Sequence, residues 1–214
     1  MGIFDKLFGK KEAEKTIDND LGYGFIRKVT NEQRERLTQS TIPLMATQLY
    51  MHYWTDNLVC EDPNDQEWQN KVLFFWKAEE PFPKKSLPPV FETFASRNFV
   101  FVGDTSNISL QVGQAMPWFG MPGLGDKYAC VVNGQKITIP ELYKLGVVEY
   151  VEPVALTTDN LDILTNQDRY FFLIDDSITP FQGHSFYHKG KPIPIGVAYC
   201  MGGISILEKK NYDF

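Results

Sequence analysis

The chain has 214 residues, 43% hydrophobic and 14% aromatic, with a formal net charge of -6 and a pI near 5.1. That balance, with arginine only at Arg27, Arg34, Arg36, Arg97 and Arg169, excludes a nucleic-acid surface, which needs clustered Lys and Arg against phosphate. Three widely spaced cysteines, Cys60, Cys130 and Cys200, give no disulfide framework, and no apolar run approaches the roughly 20 residues that span a bilayer. The expectation is a cytoplasmic protein with an amphipathic and charged arm (residues 1–20) and a single α+β domain (residues 21–214). In that domain N-terminal helices precede a mainly antiparallel β-rich half with hairpins.

In the arm, Ile3, Phe4, Leu7 and Phe8 share one helical face beside Lys6, Lys10 and Lys11. Contact of residues 1–11 with a membrane surface is one reading, and a frayed or locally packed terminus is the plainer one. Thr30 followed by Gln33 is a capping-box pattern opening an exposed helix over residues 31–39. A second helix is expected from Thr41 to about Asn57, with Leu44, Met45, Leu49, Tyr50, Tyr53 and Trp54 on its apolar face. The run Val72 to Trp76 fits helix and strand equally, and Pro81, Pro83, Pro88 and Pro89 predict an extended loop.

From Phe94 the pattern turns to strands: residues 99–102 and 108–112, then residues 129–132 and 135–139 around Asn133-Gly134, a hairpin turn in which both residues take positive φ. Residues 140–145 read as a short helix opened by Pro140 and stopped by Gly146. Strands are expected at residues 147–154, 170–174, 185–189, 193–199 and 204–207.

Few side chains suggest chemistry. His184 and His188 lie between Gly183 and Gly190 in a hairpin-like piece, where residues four apart do not form a tight ligand pair, so no metal site is expected. Asp175-Asp176 and the pair Glu149 and Glu152 point to opposite faces of their strands. The segment Gly113 to Tyr128 is different, because its glycines and prolines crowd around Trp118, Phe119 and Tyr128. Glycine allows close backbone approach, and a Trp-Phe pair gives a stacking face for a planar ring. It matches neither the phosphate loop nor the dinucleotide turn.

The residues Gln114-Ala-Met-Pro-Trp-Phe-Gly-Met-Pro-Gly-Leu-Gly-Asp-Lys-Tyr128, followed by Ile139-Pro-Glu-Leu-Tyr-Lys-Leu-Gly-Val-Val-Glu149, resemble the tuberculosis-necrotizing-toxin (TNT) type NAD glycohydrolase domain over about residues 113–150. That family's pattern runs from Phe-Gly-Gln-Pro-Gly-Gly-Gly-x-Gln-Tyr to a short helix carrying Glu-Leu and then Gly. The resemblance implies an NAD-directed domain with NAD as substrate rather than cofactor, and with a pyrophosphate-binding Arg, a His and a Gln. Here Asp126-Lys127 stands where the family's Gln precedes Tyr, no Arg-Tyr-Gly lies upstream, and the nearest preceding histidine is His52. The catalytic residues are therefore read as divergent.

Bond cleavage at the nicotinamide ribose needs a firmly held substrate and a group that stabilises oxocarbenium charge. The candidate for that charge is Asp126, with Trp118, Phe119, Gly123, Gly125, Lys127, Tyr128 and Arg97 as binding residues and Lys127 and Arg97 facing phosphate. The alternative function is a non-enzymatic immunity or adaptor protein that grips a protein partner through the aromatic loop. A third reading makes the loop purely structural.

Overall fold

The computed structural model describes residues 38–42, 48–54, 65–175, 177–200 and 202–214; the arm of residues 1–20, most of the first expected helix, and Asp176 lie outside them. The described chain is mostly β-sheet, which corrects the α+β expectation with N-terminal helices. Residues Thr38–Ile42 form strand β1 and Tyr50–Trp54 form β2, in place of the helices expected there. The physical reason is that β2 is covered on both faces. Tyr50 and His52 point one way and Met51 and Tyr53 the other, all of them buried, so the period of 2 is hidden in an unbroken apolar run.

The ambiguous run resolves into both forms. Gln66–Trp68 is a helical turn that widens into a π-helical turn over Gln69–Leu73, after which Trp76–Lys77 forms β3. The proline-rich stretch is also not simply extended: Phe82–Lys85 is a short helix, here α1, and Pro89–Thr93 a 3-10 turn. Proline is compatible with a first helical turn because its missing N–H has no partner there.

Ala95–Phe101 (β4), Ile108–Gln114 (β5), Asp126–Val132 (β6), Gln135–Ile137 (β7) and Val148–Val154 (β8) agree with the expected strands. The β6–β7 turn has Asn133 at φ 51 and Gly134 at φ 79, as the hairpin expectation requires. Ile139–Lys144 is helix α2, opened by a capping box between Thr138 and Glu141 and followed by Gly146 at φ 70. Tyr170–Ile174 (β9), Ser177–Ile178 (β10), Phe181–Gln182 (β11), Ser185–His188 (β12), Lys191–Pro194 (β13) and Ser205–Lys210 (β14) follow. Residues Ile195–Cys200, expected as strand, are helix α3.

The strands make a four-stranded sheet in the order β1-β5-β6-β7, a seven-stranded sheet β10-β9-β14-β8-β4-β2-β3 and a three-stranded sheet β11-β12-β13. The turn between β4 and β5 therefore carries the chain from one sheet to another rather than closing a hairpin. The first two sheets face each other across an aromatic core. Tyr50, Phe99, Phe101 and Tyr150 come from the seven-stranded sheet, and Leu110, Tyr128 and Cys130 from the four-stranded one, with Phe75, Ile139 and Leu142 filling between. On the reverse side of β2, Met51, Tyr53, Trp76, Leu87 and Phe91 form a second cluster under α1. The three-stranded sheet and α3 cover Phe172, Ile174 and Ile206 at the other end of the large sheet.

Candidate functional site

Residues 115–125 connect β5 to β6 and are shaped by backbone hydrogen bonds. At the neck, Ala115 N–H donates to Gly125 O (2.9 Å) and Leu124 N–H donates to Ala115 O (2.7 Å). At the tip, Met121 N–H donates to Trp118 O (2.8 Å) across Phe119 (φ 53) and Gly120 (φ 76). The α1 turn clamps the outside: Gly123 N–H reaches Pro83 O (3.2 Å), Gly125 N–H reaches Lys84 O (3.0 Å), and Ser86 Oγ donates to Trp118 O (3.3 Å). A Cβ on Gly123 would stand 2.8 Å from Ala115 O, and one on Gly125 2.7 Å from Lys84 O. Both glycines thus serve backbone-to-backbone packing.

Trp118 and Phe119 are half-buried and meet edge to face, with ring centres 5.4 Å apart. Leu124, at φ 65, is 61% exposed.

Strand β6 presents two chemically different faces, because its side chains alternate. On the core side the Tyr128 ring stacks on Phe75 at 5.7 Å, and its hydroxyl donates to Asp126 Oδ2 at 3.3 Å. Burial first, and then the charge of Asp126, raise the Tyr128 phenol far above its ordinary range, so it stays a hydrogen-bond donor. Burial, with help from Cys130 and Glu79, likewise pushes Tyr50 up to about 12.

The other face carries Lys127. Its Nζ donates to Asn70 Oδ1 at 2.7 Å and lies 3.7 Å from the centre of the Phe74 ring. Lys136 on β7 reaches the same ring, at 4.9 Å. Desolvation, followed by repulsion from Lys136, brings the Lys127 ammonium down to about 7. Across the sheet Lys127 is paired with Gly113, which offers it no side chain.

Arg97 is not brought to the loop by its described contacts. Its guanidinium stacks on Tyr212 (3.8 Å) and Trp54 (4.2 Å), with Phe214 at 5.2 Å. Its register partner His52 is fully buried. His52 Nδ1 faces two carbonyls, Lys71 O at 2.8 Å and Tyr53 O at 3.0 Å, so Nδ1 carries the proton and donates. Nε2 is then left to accept from the Tyr150 hydroxyl at 2.9 Å. Desolvation above all lowers His52 to about 4, and the ring is neutral.

Asp175 lies beside His188 Nε2 at 3.4 Å and Lys189 Nζ at 4.0 Å. Glu152 pairs with Lys210 at 3.0 Å on the large sheet. Among the described residues no three His, Cys, Asp or Glu side chains gather to hold a metal ion.

Sequence reasoning missed Asn70, Phe74, Ser86 and Lys136. Asn70 and Phe74 carried no signal, because the π-helical turn that aims Asn70 at Lys127 has no readable period and Phe74 is the extended residue that ends it. Lys136 could have been found: it is paired with Val131 across the hairpin, on the same face as Lys127.

Residues 69–151 match the family model described as tuberculosis necrotizing toxin, so this part of the chain resembles a TNT domain. No curated protein matches the chain. The matched span begins at the π-helical turn, takes in the α1 clamp and the aromatic loop, and ends within β8. It holds every sequence-derived site residue: Arg97, Trp118, Phe119, Gly123, Gly125, Asp126, Lys127 and Tyr128.

Proposed function

We propose that the TNT-like part of the chain is an NAD-directed domain of glycohydrolase type, which splits NAD by water into nicotinamide and ADP-ribose. The observation that carries this reading is the family match over residues 69–151, whose separate pieces come together around the β5–β6 loop. Cleavage leaves neutral nicotinamide and develops positive charge at the ribose carbon, which a nearby carboxylate stabilises. Asp126 is assigned that role. It sits where the loop enters β6, and Tyr128 holds its carboxylate through a hydrogen bond. Trp118 and Phe119 supply the stacking face for a planar ring.

The phosphate anchor is the part in which this chain departs most from the family. Lys127 turns to Asn70 and Phe74, and Arg97 stacks on Tyr212 and Trp54. The test is nicotinamide release from NAD by the purified chain. Asp126→Asn should lower the rate by roughly 100-fold, on the scale of losing one electrostatic contact to the transition state. An inert wild-type protein would overturn the enzymatic reading. The second reading, a partner-gripping immunity or adaptor protein, is favoured by the 61% exposure of Leu124 beside the aromatic pair.

A further inference from the structure

We propose that Lys127 is an activated amine that captures small aldehydes, forming an imine at Nζ. The inference is independent of NAD cleavage. It starts from a surplus of positive charge: Lys127 and Lys136 both stand over the Phe74 ring, and neither has a carboxylate partner among the described residues. One aromatic face accommodates one ammonium well, and the second adds repulsion.

The charged groups around this pair do not relieve it. Lys71, from the π-helical turn, spends its charge on Glu67 at 2.5 Å, and Asp126 faces the opposite side of β6 towards Tyr128. Asn70 offers Lys127 a neutral amide oxygen, which accepts an N–H from either the ammonium or the amine. Gly113, across from Lys127 on β5, brings no countercharge. Such desolvation beside a second cation is how a lysine becomes a nucleophile near neutral pH. The position of the Lys127 equilibrium, about 7, agrees with this geometry.

Access separates Lys127 from the other enclosed lysine. Lys85 lies 3.4 Å from both Met51 Sδ and Tyr53 Oη and is only 7% exposed, so an aldehyde cannot reach it. Lys127 is half-buried as a residue. The chemistry is balanced without a further reagent. The Nζ lone pair adds to the carbonyl carbon, the carbonyl oxygen takes up a proton, and the carbinolamine loses water to leave the C=N bond. The ligand class is a small aldehyde, including the open-chain form of a reducing sugar.

The experiment uses the full chain with propanal and cyanoborohydride at about pH 7, and reads alkylation at each lysine by peptide mass spectrometry. Lys127 should react at least ~10-fold faster than exposed Lys144 or Lys189, with a rate that rises through a midpoint near 7. Lys136→Gln should slow Lys127 severalfold, whereas Lys136→Arg, which keeps the charge, should not. Labelling of Lys127 no faster than that of Lys144 would overturn the proposal. So would a rate unchanged in Lys136→Gln, because the repulsion would then contribute nothing.

Discussion

The centre of the seven-stranded sheet and the outer face of β6 each enclose a nitrogen base, and they treat it oppositely. His52 has an acceptor or donor at both ring nitrogens, and its neutral form is the one those partners fit. Lys127 has one neutral partner, an aromatic ring and a second lysine. A base with matched partners is locked in one protonation state, and one left beside a like charge is free to change it. Burial alone therefore does not mark a functional group; the completeness of its partners does.

The largest effect is expected in the β5–β6 loop. Gly123→Ala would add a Cβ 2.8 Å from the Ala115 and Met116 backbone at φ 62, which should cost roughly 3–5 kcal/mol in urea unfolding from overpacking and strain together. Gly134→Ala, at φ 79 with open space around it, should cost only about 1 kcal/mol. Equal losses would mean that the Ala115 and Met116 backbone gives way to the added Cβ.

The His52 region makes a prediction about acid. Its pKa falls from 6.5 in the unfolded chain to about 4 in the fold, so between those values the unfolded chain binds the extra proton. Stability should decline by about 3 kcal/mol as pH drops from 6.5 to 4, and a His52→Gln variant should lose that slope. Tyr150→Phe removes the donor to Nε2 and should cost about 1–3 kcal/mol at neutral pH, measured by thermal unfolding. A neutral outcome would show that the His52 partners are interchangeable with water.

For Lys127 the linkage covers a different pH range. Its pKa also falls, from 10.5 to about 7, so the unfolded chain binds more protons across that window and stability should rise with pH from about 7 to 10.5. At about 1.4 kcal/mol per unit, the whole rise corresponds to roughly 4–5 kcal/mol. Lys127→Met should flatten the rise in urea titrations. A rise undiminished in that variant would assign it to another group and weaken the contrast with His52.

Local chemistry made much of the second half legible. Asn133-Gly134, Pro140 with Gly146, and the β-branched and aromatic runs act within a few residues, and each stands where it was expected. The failures come where neighbours override the local signal. Tyr50–Trp54 looked helical because both of its faces are buried, and Ile195–Cys200 looked extended although it closes over Phe186 and Ile206 as helix.

The sequence by itself determined the aromatic loop and its resemblance to the TNT pattern, but it began the strand at Ala129 and left Asp126 and Lys127 together in the loop, whereas β6 begins at Asp126 and sets them on opposite faces. Only the tertiary structure decided what these residues meet. The α1 turn that fixes Gly123 and Gly125, the ring that Lys127 and Lys136 share, and the aromatic stack that holds Arg97 all come from distant parts of the chain. Covalent spacing sets direction along a strand, but protonation and contact depend on what packs against it, and no local pattern encodes that.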